Sequence, residues 1–203
     1  MLLTEENYIN KDFSDYGYFD GTEFVKKSFK NCEMRAMDLE DKSFRKCVFE
    51  VCNFSMAHFT GTKFSGCIFL NCVFSHTNLI AASFENCRFT ASSFAGTDMG
   101  AAYFDCCDFS YASLAGLRFK KKDVINMNFT ESRLSDCVFI ESRLYSCRFD
   151  GAVFNNVSFE KSDIRDCSFR LSNLSVCNLS GAKISLAQAI MLAESLGAVC
   201  EDI

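Results

Sequence analysis

The stretch CNFSMAHFTGTKFSGCIFLNCVF, residues 52–74, places a large apolar residue at every fifth position: Phe54, Phe59, Phe64, Phe69 and Phe74. Two residues before each stands a small one: Cys52, Ala57, Thr62, Cys67 and Cys72. A period of five fits neither the 3.6 of an amphipathic helix nor the 2 of a simple strand. Followed outward, the rhythm holds without a slip from Phe19 to Ile184, through 34 positions of which 22 are Phe and the rest Leu, Met, Ile or Val. Of the 23 phenylalanines only Phe13 lies outside it. A chain that keeps one phase this long revisits one geometry every five residues, so internal repetition decides the fold.

The apolar centre and the small slot are two residues apart, so an extended backbone points both to the same side. Eleven of the 13 cysteines fall in the slot; Cys106 and Cys200 do not. Seven of the ten glycines stand two residues after a centre, where the chain must turn a corner. Cysteine here reads as a small buried apolar residue. There is no Cys-x-x-Cys pair and no Cys/His cluster, and His58 and His76 sit at outward positions. The slot cysteines all point to the same side of the chain, and parallel side chains make poor disulfide geometry. Neither a metal nor a cofactor is expected.

Units such as Cys-Asn-Phe-Ser-Met (52–56) and Cys-Arg-Phe-Thr-Ala (87–91) resemble the consensus of the pentapeptide-repeat family: small residue, Asp or Asn, Leu or Phe, then two variable positions. The resemblance implies an all-β solenoid, a right-handed quadrilateral β-helix with four pentapeptides per coil. The 34 units then make about eight and a half coils. At the ~4.8 Å spacing of neighbouring strands the rod is roughly 40 Å long. Each centre stacks on the one 20 residues later, so Phe19, Leu39 and Phe59 begin one face and Phe24, Phe44 and Phe64 the next. The expected organisation is an N-terminal cap over 1–18, a β-helix over 19–184 and a C-terminal helix and tail over 185–203. In the cap, Ile9 and Ser14 continue the register loosely, and Tyr8, Ile9, Phe13, Tyr16 and Tyr18 help to lid the first coil.

After Ile184 the pattern turns helical. Ser185 and Gln188 form a capping-box signature, and Gly197 suits the position just past a helix end. Leu186, Ala189, Ile190 and Ala193 make an apolar stripe, with Leu192 and Leu196 beside it. Residues 182–199 resemble the C-terminal end of the topoisomerase-protecting subgroup, comprising the Qnr and MfpA proteins and the albicidin and microcin immunity proteins. That resemblance implies a homodimer formed through those six residues of the C-terminal helix. It also implies a partner, DNA gyrase or topoisomerase IV, that is shielded from quinolones or peptide toxins by a protein of DNA-like shape and charge. The alternative is a pentapeptide-repeat scaffold or interaction protein with another protein partner.

A net charge of −5 argues against direct nucleic-acid binding. Outward acidic residues gather in the N-terminal half of the Phe19 face: Asp20, Asp38, Glu40, Asp41 and Asp98. Beyond Met99 that face turns basic, with Arg118, Lys120 and Lys121. These residues and Lys122 are the candidate partner contacts, by charge complementarity. Lys122 belongs to an irregularity in which Leu117, Lys122 and Met127 successively fill the small slot. A charged lysine is not tolerated unpaired in an apolar shaft, so a local bulge turning Lys122 outward is predicted. Lys27 and Lys42 occupy the same slot near the N-terminus and are expected to reach solvent.

The chain carries no Gly-rich phosphate loop, nucleophile elbow or zinc-binding His pair. A filled shaft offers no concave pocket for a small-molecule substrate. No enzymatic activity is expected. No run of 18 apolar residues suggests a membrane span. The start, Met-Leu-Leu-Thr-Glu-Glu-Asn-Tyr, lacks the marks of a signal peptide, so a cytoplasmic location is expected.

Overall fold

The computed structural model describes residues 1–201, so positions 202 and 203 of the expected C-terminal segment lie outside the described residues. The chain forms a four-sided β-helix whose strands are three residues long and parallel. One sheet runs through Glu23–Val25, Ser43–Arg45, Lys63–Ser65, Ser83–Glu85 and Tyr103–Asp105. Its register is a constant 20 residues, pairing Phe24 with Phe44, Phe44 with Phe64 and Phe64 with Phe84. Four pentapeptides therefore close one coil.

Each strand is short because the corner follows at once. The residue two after nearly every centre adopts a left-handed backbone, as at Lys26, Asn31, Val51 and Asn71, whose φ values lie between 51° and 55°; Ala101, Asp166 and Val176 do not. This explains the glycines at that position, and also shows that most corners manage without one.

The core is a filled stack of rings. Phe49 and Phe69 lie 4.9 Å apart with their planes 5° from parallel. Phe69 and Phe89 repeat the spacing at 4.9 Å, and Phe74 and Phe94 stack at 4.7 Å. Around one coil the rings meet edge to face, as with Phe64 and Phe69 at 72°. Both offset-stacked and edge-to-face pairs are favourable for aromatic quadrupoles.

The small slot does more than leave room. Its side chains donate to the carbonyl of the centre 23 residues earlier: Thr62 to Leu39 at 2.6 Å, Cys67 to Phe44 at 3.3 Å, Cys107 to Phe84 at 3.3 Å. The slot thus wants a small donor, which selects Cys, Thr and Ser together.

The N-terminal segment departs from the expected phase. Ile9 is exposed, whereas Leu3, Tyr8 and Phe13 are buried. These three keep the period of five but sit one residue out of step. The strand Asn7–Ile9 pairs with Ser28–Lys30 at an offset of 21, so Tyr8 stacks on Phe29 at 5.1 Å. One extra residue, absorbed in a 3-10 turn at Ser14–Tyr16 and at Gly17, restores the main phase at Phe19. Phe13, the phenylalanine outside the register, is therefore a core residue packed on Phe19 at 5.2 Å. Tyr16 and Tyr18 stay exposed.

At the other end, helix α1 (Leu186–Ser195) starts with a complete capping box. Ser185 Oγ accepts from the Gln188 N–H at 3.3 Å, and Gln188 Oε1 accepts from the Ser185 N–H at 2.8 Å. Among the described residues no helix is long and apolar enough to cross a membrane.

Candidate interaction surface

With the shaft filled, the outside of the coils and the two ends are what the molecule presents. The acidic residues of the Phe19 face fall into two places. Asp20, Asp38, Glu40 and Asp41 cluster on the first two coils of that face. Asp98 stands alone three coils further along, about 14 Å away at the usual strand spacing, beyond His58 and Asn78, which continue the column above Asp38.

Several of these carboxylates already have work inside the fold. Asp20 faces the N-terminal ammonium at 3.4 Å. Asp38 accepts from the Glu40 N–H at 3.0 Å, and Asp98 accepts from the Gly100 N–H at 2.9 Å. Asp41 takes a left-handed corner beneath Gly61, where a methyl group would strike its carboxylate. Glu40 is exposed.

The basic group lies where the β-helix is irregular. Arg118, Lys120, Lys121 and Lys122 are all exposed. Lys121 pairs with Glu141 at 3.4 Å. Lys122 does turn outward, and its ammonium donates to the Gly100 carbonyl at 3.3 Å one coil below. Lys42 reaches Gly21 in the same way at 3.2 Å, and Lys27 reaches Leu3 at 3.3 Å. A lysine in the small slot is thus accommodated by stretching down to a carbonyl of the preceding coil. Its neighbours Leu117 and Met127 remain buried and fill the slot. The disturbance begins a coil earlier than the sequence suggested. Met99–Ala101 forms a 3-10 turn capped by Asp98 in place of the usual corner, a form that recurs at Leu174–Val176 with Asn173 as cap.

Helix α1 lies across the last coils through one face. Gln188 is buried, and its side-chain amide donates to the Ile164 and Cys167 carbonyls at 2.8 and 2.9 Å. Met191 and Leu192 pack beside it against the core. The opposite face is left open: Leu186 is 79% exposed, Ile190 39% and Leu196 77%. The six residues of the expected dimer surface therefore divide. Leu192 faces the coil, Ala189 and Ala193 are half-buried, and Leu186, Ile190 and Leu196 face outward. The coil end is itself incompletely covered, since Cys177, Leu179 and Ile184 are only partly buried.

The repeat signature is also found by family comparison. A model described as "Pentapeptide repeat region" matches residues 38–119, and one described as "Pentapeptide repeats (8 copies)" matches 123–156 and 152–187. The chain belongs to the pentapeptide-repeat family. Among solved structures, this pentapeptide-repeat protein is similar to a trypsin-treated variant of QnrB1, described as a plasmid-mediated fluoroquinolone resistance protein. The TM-score is 0.77 at 20% identity, covering 96% of this chain and 97% of that one. Full-length QnrB1 gives 0.70 at 21% identity, covering 95% and 97%. At these identities the likeness is one of fold. No curated protein sequence is similar enough to match.

Proposed function

We propose that this pentapeptide-repeat protein is a non-enzymatic homodimer that binds a bacterial type II topoisomerase, DNA gyrase or topoisomerase IV. It thereby shields the enzyme from a quinolone or a peptide toxin. The observation that carries the reading is the C-terminal end. An apolar stripe of Leu186, Ile190 and Leu196 stands open next to a half-covered last coil, and apolar surface of this kind favours a second copy. The QnrB1-like fold over nearly the whole chain supports the same reading, as does the resemblance of residues 182–199 to the protecting subgroup. With Asp38 and Asp98 acting as turn caps, the overall rod shape contributes more to DNA resemblance than a continuous acidic stripe does.

The test is a supercoiling assay with purified gyrase and a quinolone. The protein restores supercoiling in a dose-dependent way, and Ile190→Asp abolishes both the dimer and the rescue. A monodisperse monomer that rescues neither gyrase nor topoisomerase IV from any tested poison would overturn the reading. The second reading, an interaction protein with another partner, has its own observation. Val51 and Val73 are exposed beside half-buried Val48, Ile68 and Leu70, an apolar patch unlike a polyanion.

A further inference from the structure

The β-helix is broken at one level. The five-stranded sheet ends at Tyr103–Asp105, and the next strand of that column, Asp123–Ile125, pairs only upward with Arg143–Tyr145. Elsewhere in this column the first residue of a strand bonds the coil below, as Tyr103 N–H does to Ala82 at 2.9 Å and Arg143 N–H to Lys122 at 3.1 Å. The corner residue bonds the coil above, as Asn86 N–H does to Asp105 at 3.0 Å and Asn126 N–H to Tyr145 at 2.9 Å. Among the described residues, the Asp123 and Cys106 N–H groups have no such bond. The ring stack opens at the same level. Phe109 and Phe129 are 5.7 Å apart, against 4.9 Å for Phe89 and Phe109 below and 4.8 Å for Phe129 and Phe149 above.

The cause lies in the slot. Leu117 and Met127, two units apart, both put large buried side chains where most units carry Cys, Ala, Ser or Thr, whereas Met37 and Val157 do so singly and leave their pairing intact; overpacking is relieved by moving backbone. The phenylalanine column also ends here, because Val124 follows Phe104. The result is a cleft of about 280 Å³ lined by Ala102, Tyr103, Phe104, Phe119, Lys122 and Asp123. Its floor is aromatic, its two lips carry unpaired main-chain N–H groups, and Lys122 stands on its rim, preceded along the chain by the exposed Arg118, Lys120 and Lys121. Two acidic residues stand on the lips, Asp105 on the lower and Asp123 on the upper, and Asp123 lies in register with Arg143 of the next coil.

We propose that this break is a binding site for an extended acidic peptide segment of a partner protein. Free strand edges offer main-chain hydrogen bonds to a guest strand, the mode known as β-augmentation. Phe104 and Phe119 receive its inward side chains. The lysines on the rim meet its carboxylates, on a molecule whose net charge is otherwise negative, and this complementarity selects an acidic guest. The inference does not rest on the topoisomerase reading.

The probe is a fluorescein-labelled octapeptide of alternating valine and glutamate, titrated with the full chain and followed by anisotropy. Saturable binding is expected. It should weaken about tenfold or more in a Lys120→Glu/Lys122→Glu double variant and stay unchanged in Lys161→Glu, an exposed lysine two coils away. Hydrogen exchange should slow at the Cys106 and Asp123 amides when the peptide binds. A peptide N-methylated at alternate residues keeps the charge but loses the strand edge, and it should bind at least tenfold more weakly. Equal binding of the methylated peptide or of a single-stranded oligothymidylate would show plain electrostatic attraction and overturn the proposal. So would an absence of peptide binding, or a loss shared by Lys161→Glu.

Discussion

Gln188 Nε2 donates to both the Ile164 and the Cys167 carbonyls, at 2.8 and 2.9 Å, and so ties the C-terminal helix to the open end of the β-helix. The same side chain accepts from the Ser185 N–H, so one residue serves as helix cap and as coil seal. Gln188→Leu keeps the volume but strips three hydrogen bonds from a buried position. Leaving such groups unpaired costs about 1–3 kcal/mol. The urea midpoint is expected to fall accordingly, with helix signal lost at lower denaturant than the strand signal.

The dimer surface is tested by contrasting two leucines. Leu192 packs against the core, so Leu192→Asp places a carboxylate under the cap and should lower stability as well as association. Leu186 is 79% exposed, so Leu186→Asp should leave the thermal midpoint within about 2 °C while abolishing the dimer, since exposed substitutions usually stay within ±0.5 kcal/mol. Sedimentation velocity and a thermal melt on the two variants separate the effects. Equal behaviour of the two would contradict the division of the helix into a packed and an open face.

How much of this was legible follows from the length of the signal. The period of five repeats 34 times, so its phase fixed the core positions, while the four-unit coil and the facing columns followed from the family resemblance. The one-residue slip before Phe19 was not legible, because three units at Leu3, Tyr8 and Phe13 are too few to separate from chance. The donor role of the cysteine slot was hidden by treating Cys as apolar; the occasional Thr and Ser in that slot were the available clue. Lys122 was readable as outward because a charge has no place in the shaft. The break it marks was not, since lost strand pairing depends on crowding by Leu117 and Met127 across two coils. Gly100 directly after a centre, where no other glycine stands, was its faint signal.

The ring stack predicts where the fold is most sensitive. Phe69 is buried, stacks on Phe49 and Phe89 at 4.9 Å each, and meets Phe64 and Phe74 edge to face. Phe69→Ala should cost about 3–5 kcal/mol in chemical unfolding. Phe119→Ala, beside the cleft, removes a ring that stacks only on Phe139 and should cost about half as much, because fewer neighbours lose contacts.

Corner strain gives a prediction of opposite sign. Val51 holds φ at 55°, a left-handed conformation that β-branched residues disfavour. Its neighbours in the column, Asn31 below and Asn71 above, take the same conformation, and Asn31 already donates to Asn10 at 2.7 Å. Val51→Asn should raise stability by about 1 kcal/mol, the scale of the left-handed penalty for an L-residue. Val51→Ile, which keeps the branch, should give no gain in the same urea titration.

The buried thiols set an alkaline limit. Burial pushes Cys107 and Cys177 up to about 12 and Cys137 up to about 11. In the unfolded chain a cysteine ionises near 8.5. Their folded values are raised, so the stability they lend is fully present below the unfolded value. Above it the unfolded state sheds protons that the folded state retains, and stability falls with rising pH until about 11 or 12. Each such thiol contributes a slope of up to about 1.4 kcal/mol per pH unit in that window. Urea midpoints measured under reducing conditions should therefore be flat from about pH 7 to 8 and drop steeply between about 9 and 10.5. Replacing Cys107 and Cys137 together by Ala removes two of these titrations, so the double variant should start less stable at neutral pH yet lose less on the way up. A parallel decline in both proteins would mean that other groups, not these thiols, govern the alkaline limb.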